Sequence, residues 1–318
     1  MDRREFLEKT IVGGAAALSL SALSCSQKAK TPQPVAKRRL GRTGEMLSMI
    51  GFGAILVRDE EQTAANNLVA QAFDRGINYY DVAPTYGNAQ DILGPALKPY
   101  RDRCFLACKT TQRSREGAEK ELNESLEKLQ TDHFDLYQLH AITTVEDVET
   151  AFGPDGAMEV FLKARQEGKV RFLGFSAHSE QAALLALEKF DFDTTLFPIN
   201  FVCWYNGNFG PAVVQKARER DMGILALKAL ALNRIPRGED RPYEKCWYRP
   251  IPLEQPELSD LSLRFTLAQG ATAAVPPGEQ LFFWRAMEIA PNVKPLSEAE
   301  HAKLLQYAEG LEPLFRTV

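Results

Sequence analysis

Four side chains that can hold or move a proton stand at the ends of short apolar runs. Asp81 follows INYY, with Tyr86 five residues later, while Lys109 follows CFLAC and His140 ends FDLYQLH. Singly, each has an ordinary explanation, since an aspartate often caps a turn and a tyrosine often packs with its hydroxyl in water. Together, a carboxylate, a phenol, an ammonium and an imidazole form a set suited to acid–base chemistry.

The surrounding sequence alternates between strand-like and helix-like segments. Eight apolar runs have the length and content of buried parallel strands: MIGFG, INYYDVA, CFLACKT, FDLYQLH, VRFLGFS, TTLFPIN, GILALKA and TAAVP. Helical patterns are predicted over residues 61–75, 88–98, 114–130, 157–167, 179–189, 210–221 and 257–269. This alternation predicts an α/β fold, a single-domain (β/α)8 barrel of the TIM type. Because active sites of such barrels lie at the C-terminal ends of the strands, we expect the four side chains on one rim.

Composition and missing motifs argue against several other classes. The 318 residues carry a net charge of −4 and are 45% hydrophobic, which is ordinary for a globular protein and argues against a nucleic-acid binder. No GxGxxG stands at a strand-to-helix turn, so a Rossmann fold loses its main support. The five cysteines form no CxxC pair and no His-rich spacing, so we expect neither a metal site nor a disulfide framework.

The N-terminus reads MDRREFLEKTIVGGAAALSLSALSC. Paired arginines precede Phe6 and Leu7, and a mildly apolar stretch follows that is too short to span a bilayer comfortably. This order resembles a twin-arginine (Tat) export signal, and the alternative is a helix end with two chance arginines. We therefore predict recognition by the Tat export machinery.

Two destinations follow from the end of this segment. ALS approximates an ordinary cleavage site, which predicts a periplasmic protein, whereas the following Cys25 resembles the end of a lipoprotein box, which predicts a lipid anchor on that cysteine. Lipidation is favoured because Cys25 has no evident folding role. We predict a signal peptide over residues 1–25, a linker over 26–36 and the barrel over 37–318.

The motifs carry a family resemblance. DVAPTYG, CFLACKT and FDLYQLH resemble the segments that bear the Asp, Tyr, Lys and His tetrad of the aldo-keto reductases, and KRRLGRTGEMLSMIGFGA is similar to that family's opening hairpin and first strand. GFSAHS and DTTLFPIN resemble its fifth and sixth strands, so the similarity runs from about Lys37 to Gly278. It implies hydride transfer between NADP(H) or NAD(H) and a small-molecule carbonyl compound or alcohol.

The resemblance also implies a role for each member of the tetrad. Tyr86 is the expected general acid for the carbonyl oxygen, and a free phenol, with a pKa of about 10, is a poor acid near neutrality. Lys109, held by Asp81, is expected to lower the pKa of Tyr86. His140 is expected to orient the substrate oxygen by a hydrogen bond. This scheme requires no metal.

The family's cofactor-binding positions are partly retained. Ala177, Leu196 and Leu227 stand where the family has an asparagine, a glutamine and a stacking aromatic. After the eighth strand, Glu279 stands within the segment where the family has a cluster of basic residues. The cofactor-binding residues implied by the resemblance are Gly53, Ser176, Asn200, Lys228 and Gly278.

The long segment 232–256 is rich in Pro, Arg and aromatic residues, and loops of that length are often functional lids. Trp247 is the predicted substrate contact, although it could equally pack the loop onto the barrel. Because the cofactor subsite is altered, the alternative function is a non-catalytic barrel that binds a ligand or a partner. Retention of the whole tetrad argues against that alternative. The sequence indicates no oligomeric state.

Overall fold

The computed structural model describes residues 33–317. In these residues the strands are β1 Lys37–Arg39, β2 Met46–Ser48, β3 Phe52–Gly53, β4 Tyr79–Asp81, β5 Phe105–Thr110, β6 Phe134–Ile142, β7 Val170–Ala177, β8 Thr194–Pro198, β9 Gly223–Leu227, β10 Ala231–Arg234, β11 Tyr248–Pro250 and β12 Ala273–Val275. The α-helices are α1 Gln62–Asp74, α2 Ala89–Leu97, α3 Arg115–Lys128, α4 Val145–Phe152, α5 Ala157–Gln166, α6 Glu180–Lys189, α7 Phe201–Gly207, α8 Pro211–Glu219, α9 Pro256–Ala268, α10 Gln280–Ile289 and α11 Glu298–Ala308.

Eight of these strands form one sheet, in the order β12-β9-β8-β7-β6-β5-β4-β3, with every neighbouring pair parallel. A parallel bridge from Ile50 to Ala274 joins the two ends of the sheet. Two hydrogen bonds make that closure: Gly51 N to Ala274 O at 2.9 Å and Ala274 N to Met49 O at 2.9 Å. The predicted (β/α)8 barrel in one domain is therefore confirmed.

Strand periodicity divides the side chains between the barrel interior and the surrounding helices. The interior cluster contains Leu40, Leu47, Tyr79, Phe105, Ala107, Leu136, Leu196, Leu225, Ala273 and Val275. Leu40 and Leu47 come from the β1–β2 hairpin, which is the opening hairpin expected from the sequence. Because alternate residues share a face, the interior face of β5 runs from Phe105 and Ala107 to Lys109 at the C-terminal rim.

The seven predicted helices are present as α1, α2, α3, α5, α6, α8 and α9. Four further helices, α4, α7, α10 and α11, were missing from the prediction. α4 begins with a capping box in which the Thr144 hydroxyl accepts from Asp147 N at 3.0 Å, a signal that the sequence does carry. The predicted sixth strand also ends earlier than expected, at Pro198, because Asn200 starts α7.

The segment 232–256 contains paired strands as well as a loop. β10 and β11 pair antiparallel within it, with Asn233 opposite Arg249 and Arg234 opposite Tyr248. The predicted loop is therefore shorter than expected and occupies residues 235–247, between the two strands. This ribbon places Trp247 and Tyr248 at the rim of the barrel, next to the end of β9.

Cys104, Cys108, Cys203 and Cys246 are buried as free thiols. Within residues 33–317 no group of His, Cys, Asp or Glu side chains is arranged to hold a metal ion, and no helix there is long and apolar enough to cross a membrane. The predicted signal peptide over 1–25, with Cys25, lies outside the described residues, as does most of the predicted linker over 26–36.

Candidate active site

A cavity of about 290 Å³ opens at the C-terminal end of the barrel, and its walls include Asp81, Tyr86, Lys109 and His140. Neighbouring parallel strands bring these residues together, since β4 pairs with β5 and β5 with β6. The structure thus places all four predicted tetrad residues in one cavity, on the rim where the barrel topology predicts an active site.

Lys109 and Asp81 form a buried ion pair. The Lys109 side chain is fully buried, and its ammonium donates to Asp81 Oδ1 and to Val82 O, the latter at 3.1 Å. The second carboxylate oxygen of Asp81 accepts from Tyr79 Oη at 3.2 Å. A buried ion pair is tolerated when further hydrogen bonds satisfy both partners, and this pair has them.

Tyr86 completes the line of polar groups. Its Oη lies 3.5 Å from Lys109 Nζ. A tight turn, in which Tyr86 N donates to Ala83 O at 3.1 Å, brings the ring back over the cavity. Burial raises the pKa of Tyr86, and Asp81 adds to the increase, while Lys109 opposes it without reversing it. Lys109 thus acts on the pKa of Tyr86 in the expected direction, but burial outweighs it, so the pKa is raised and the phenol remains protonated near neutrality.

The His140 ring lies edge-on to the Tyr86 ring, with 5.8 Å between the ring centroids. Burial, helped by the charge of Lys109, lowers the pKa of His140 to about 2, so the imidazole is neutral. Its Nδ1 is buried without a hydrogen-bond partner among residues 33–317. A neutral imidazole carries one N–H and one acceptor nitrogen, so it can donate one hydrogen bond into the cavity.

The end of β6 has an unusual backbone that fixes His140. Ala141 has a φ of 52°, in the left-handed region. Its N–H donates to Ser176 Oγ at 2.8 Å, and the Arg113 guanidinium donates to His140 O at 2.7 Å. These two contacts hold the strained strand end and therefore the direction of the imidazole.

Of the predicted cofactor-binding residues, Gly53, Ser176, Lys228 and Gly278 line the cavity. Both glycines are needed for close packing. A Cβ at Gly53 would meet Val275 Cγ1 at 2.9 Å, and one at Gly278 would meet Ile55 Cγ2 at 2.4 Å.

Asn200 is not brought into the cavity. Its Oδ1 accepts from Val202 N and Cys203 N, both at 3.0 Å, which caps α7. Its Nδ2 donates to Lys228 O at 3.1 Å and to Ala231 O at 2.7 Å. The fully buried amide therefore holds the backbone after β9.

Lys228 follows β9 with a φ of 69° and is half-buried. Its Nζ lies 4.9 Å from the ring centroid of Trp247 and 4.5 Å from that of Tyr248. Burial lowers the pKa of Lys228 to about 8. Trp247, the predicted substrate contact, lines the cavity and is 43% exposed.

Other cavity residues were not predicted from the sequence: Ile55, Arg58, Thr85, His178, Arg241, Glu244, Lys245, Val275 and Pro276. His178 stands just beyond the end of β7, so its position in the strand pattern was a usable signal. The sequence carries no signal for the charged residues at positions 241–245. They approach the cavity only because β10 pairs with β11.

The sequence profile of the Aldo/keto reductase family matches residues 49–252. The chain belongs to this family. Among curated relatives, L-galactose dehydrogenase of Arabidopsis thaliana is 27% identical over 219 residues, covering 62% of this chain and 66% of the relative. The 6-dehydroglucose reductase of Novosphingobium aromaticivorans is 30% identical over 209 residues, covering 58% and 66%.

A shorter match is the uncharacterized oxidoreductase YqkF of Bacillus subtilis, 32% identical over 155 residues, covering 44% of this chain and 48% of the relative. This aldo/keto reductase chain therefore spans about half to two thirds of the length of these relatives. Among solved structures, the holo form of an aldo-keto reductase from Bacillus halodurans superposes with a TM-score of 0.67 at 22% identity, covering 89% of this chain and 98% of the other. At that identity the superposition supports the fold.

The cavity of this aldo/keto reductase has an apolar wall and a few polar groups that suit a nicotinamide dinucleotide. Leu196, Leu227 and Val275 give the cavity an apolar wall that suits a flat ring. Arg58 also lines it, and although its Nε lies 3.2 Å from Asp59 Oδ2, the other two nitrogens of its guanidinium could meet a phosphate. Ser176, at a position where the resemblance implies a contact with the nicotinamide carboxamide, also lines the cavity. These residues fit the dinucleotide, with fewer polar contacts than the family pattern provides.

Proposed function

We propose that this chain is an oxidoreductase that transfers hydride between a nicotinamide cofactor and an aldehyde or ketone. The observation that carries the proposal is the position of the Tyr86 hydroxyl, 3.5 Å from a fully buried lysine that is paired with Asp81. A fully buried ammonium is costly to maintain, and its place beside a phenol in an open cavity is accounted for by proton transfer.

The proton chemistry follows from the charges around Tyr86. When bound, the nicotinamide would supply the hydride to the carbonyl carbon. Tyr86 Oη, which burial keeps protonated, gives its proton to the carbonyl oxygen. The Lys109 ammonium then stabilises the phenolate that remains, and Asp81 keeps that ammonium charged and in place. In the direction of alcohol oxidation the same phenolate accepts the proton.

His140 positions the substrate oxygen. Because its pKa of about 2 leaves the ring neutral, it does not compete with Tyr86 as the acid. It contributes one N–H to the carbonyl oxygen, where negative charge develops, and the backbone contacts of Arg113 and Ser176 fix its direction.

The cofactor would be held by Ser176, Leu227 and Arg58, with Lys228 and Gly278 lining the same cavity. Glu279 lies at the N-terminus of α10, where its carboxylate accepts from Lys245 N at 2.9 Å. A carboxylate there opposes the binding of a further phosphate, because it places like charges together. We therefore propose that NAD(H) is preferred over NADP(H).

The test of the function is turnover by the purified full chain with NADH or NADPH and a panel of aldehydes, followed by loss of the reduced nicotinamide absorbance. Reduction of at least one aldehyde, absent in Tyr86→Phe, supports the proposal. Tight binding of aldehydes with no turnover of either nucleotide would instead favour the non-catalytic alternative.

We further propose that the protein is exported by the Tat machinery and anchored through lipid on Cys25. The support is the order of paired arginines, apolar stretch and cysteine in the sequence. The paired substitution Arg3→Lys and Arg4→Lys should leave the protein in the cytoplasm. Cys25→Ser should still be exported but should move from the membrane to the soluble periplasmic fraction. Export that survives the arginine substitutions would sink the Tat proposal.

A further inference from the structure

We propose that Lys228 binds an anionic group of the substrate, so that the preferred substrates carry a carboxylate as well as the reacting carbonyl or hydroxyl. This rests on the proposed function. Lys228 was expected from the sequence to contact the cofactor, but its neighbours favour the substrate.

The first support is the position and the backbone conformation of Lys228. The residue lines the cavity together with Tyr86 and His140. Its φ of 69° lies in the left-handed region, which is unfavourable for a residue with a Cβ. The Asn200 amide holds Lys228 O at 3.1 Å and so maintains this conformation. Strained backbone of this kind persists where surrounding contacts impose it, often at functional sites.

The second support is the unbalanced charge. Among residues 33–317 no carboxylate pairs with the Lys228 ammonium, and the groups that favour its charged form are Cys246 and Cys203. The other two lysines of the cavity are paired, Lys109 with Asp81 and Lys245 with Glu60. The rings of Trp247 and Tyr248 attract the ammonium but do not neutralise it. A bound anion would neutralise the charge of Lys228.

The third support is the position relative to the tetrad. Lys228 Nζ lies 4.5 Å from the ring centroid of Tyr248, which lines the same cavity as Tyr86. The charge of Lys228 also contributes to the low pKa of His140 and of His178. Because Lys228, Tyr86 and His140 line one cavity of about 290 Å³, a single small molecule can reach both the ammonium and the Tyr86 hydroxyl.

The chemistry of the site favours a carboxylate over a phosphate. Lys228 provides one compact positive charge, which a carboxylate balances, whereas a phosphate monoester carries a charge of about −1.5 to −2 at pH 7. Trp247, 43% exposed at the rim, offers a flat face for the body of such a substrate. The class that fits is an aldehyde or ketone with a carboxylate a few bonds from the carbonyl, or the corresponding hydroxy acid.

The test compares para-carboxybenzaldehyde with its methyl ester, which keeps the ring and the aldehyde but removes the charge. For each protein the measured quantity is the ratio of kcat/KM for the acid to kcat/KM for the ester. In the parent protein we expect a ratio well above one. In Lys228→Met the ratio should fall by about 10- to 100-fold, the value of a hydrogen bond to a charged group. Lys228→Arg should retain part of it.

A matched control is Lys245→Met, which removes a cavity lysine whose charge is already paired with Glu60, and this variant should keep the parent ratio. Binding of NADH and NADPH to each variant is measured separately by quenching of tryptophan fluorescence. If Lys228→Met weakens nucleotide binding and slows both aldehydes equally, Lys228 belongs to the cofactor site and the inference is overturned.

Failure of the proposed function is distinguishable from failure of the anion site. If no variant reduces either aldehyde with any nucleotide, the proposed function fails, and calorimetric binding of the acid and the ester then tests Lys228 alone. Weaker binding of the acid, with binding of the ester retained, in Lys228→Met supports the anion site. Equal affinities of the parent and Lys228→Met for the acid overturn it.

Discussion

Lys109 Nζ lies 3.5 Å from Tyr86 Oη and donates, on its other side, to a carboxylate that has its own second donor. This order of groups, from buried acid through ammonium to phenol, keeps a positive charge beside the hydroxyl without exposing that charge to water. It lets the phenol be protonated at rest and still stabilises the phenolate when the proton leaves.

Tyr86→Phe removes the proton donor and little else. Carbonyl reduction should fall by about 10²- to 10⁴-fold, the range attributed to general acid catalysis, with nucleotide affinity nearly unchanged. Tyr80→Phe is a matched control on β4, because its hydroxyl is buried without a hydrogen-bond partner among the described residues. Equal loss in both variants would show that the effect comes from packing.

Breaking the Lys109–Asp81 pair should destabilise the barrel. Asp81→Asn leaves a fully buried ammonium without its carboxylate, which should lower the free energy of unfolding by about 3–5 kcal/mol. The double variant Asp81→Asn, Lys109→Met should recover much of that stability without recovering activity. Urea denaturation of the single and double variants measures this, and a double variant no more stable than the single would contradict it.

The pH dependence of reduction should have no acidic limb from histidine. His140, with a pKa of about 2, stays neutral throughout the working range. Tyr86, with its pKa raised, stays protonated beyond the ordinary phenol value of about 10. For a neutral aldehyde, kcat/KM should therefore be flat from about pH 5 to 9 and fall only above that range. A midpoint near 6.5, the ordinary histidine value, would show that His140 is exposed during turnover.

The buried charge of Lys228 should lower the free energy of unfolding at neutral pH. Its folded-state pKa of about 8 lies below its ordinary value of 10.5, so between these values the unfolded chain binds more protons and stability rises with pH. Below about pH 8 the cost of the desolvated charge is complete. Lys228→Met should therefore raise the free energy of unfolding at pH 7 by about 1 kcal/mol or more, reduced by the lost contacts with the rings.

Urea midpoints of the parent and Lys228→Met at several pH values test this. The difference should shrink as the pH rises from about 8 and disappear above 10.5. A variant less stable than the parent at pH 7 would mean that the ring contacts outweigh desolvation.

Glu279→Gln should shift the nucleotide preference. Glutamine keeps an oxygen that can accept from Lys245 N but removes the negative charge from the start of α10. Affinity for NADPH relative to NADH should rise by about three- to tenfold, because a helix N-terminus favours an anion. Glu288→Gln, at an exposed position on the same helix, is the matched control. No change in the ratio would remove Glu279 from the phosphate end.

The barrel and the tetrad were predictable because their signals are local. Short apolar runs marked the strands, and the rule that active sites lie at strand C-termini assembled Asp81, Lys109 and His140 on one rim. The role of Asn200 was not predictable, because its amide satisfies backbone groups of Lys228 and Ala231, 28 and 31 residues away. A residue that looked like a ligand contact is a structural cap.

The surroundings of Lys228 and the pKa of Tyr86 depend on tertiary structure. Pairing of β10 with β11 brings Trp247 and Tyr248 into contact with the Lys228 ammonium. The sequence of segment 232–256 did not predict that pairing. For Tyr86 the sequence indicated the correct influence from Lys109, but the desolvation that outweighs it is set by how deeply the cavity wall covers the ring.

The four buried cysteines are shielded from thiol chemistry in the folded barrel. Burial raises the pKa of Cys104 to about 12 and those of Cys108 and Cys246 to about 11, and the pKa of Cys203 is raised as well. Because the thiolate is the form that attacks disulfides and reacts with oxidants, these sulfur atoms are chemically quiet in the native state. These four thiols are therefore protected from oxidation and disulfide exchange for as long as the barrel stays folded.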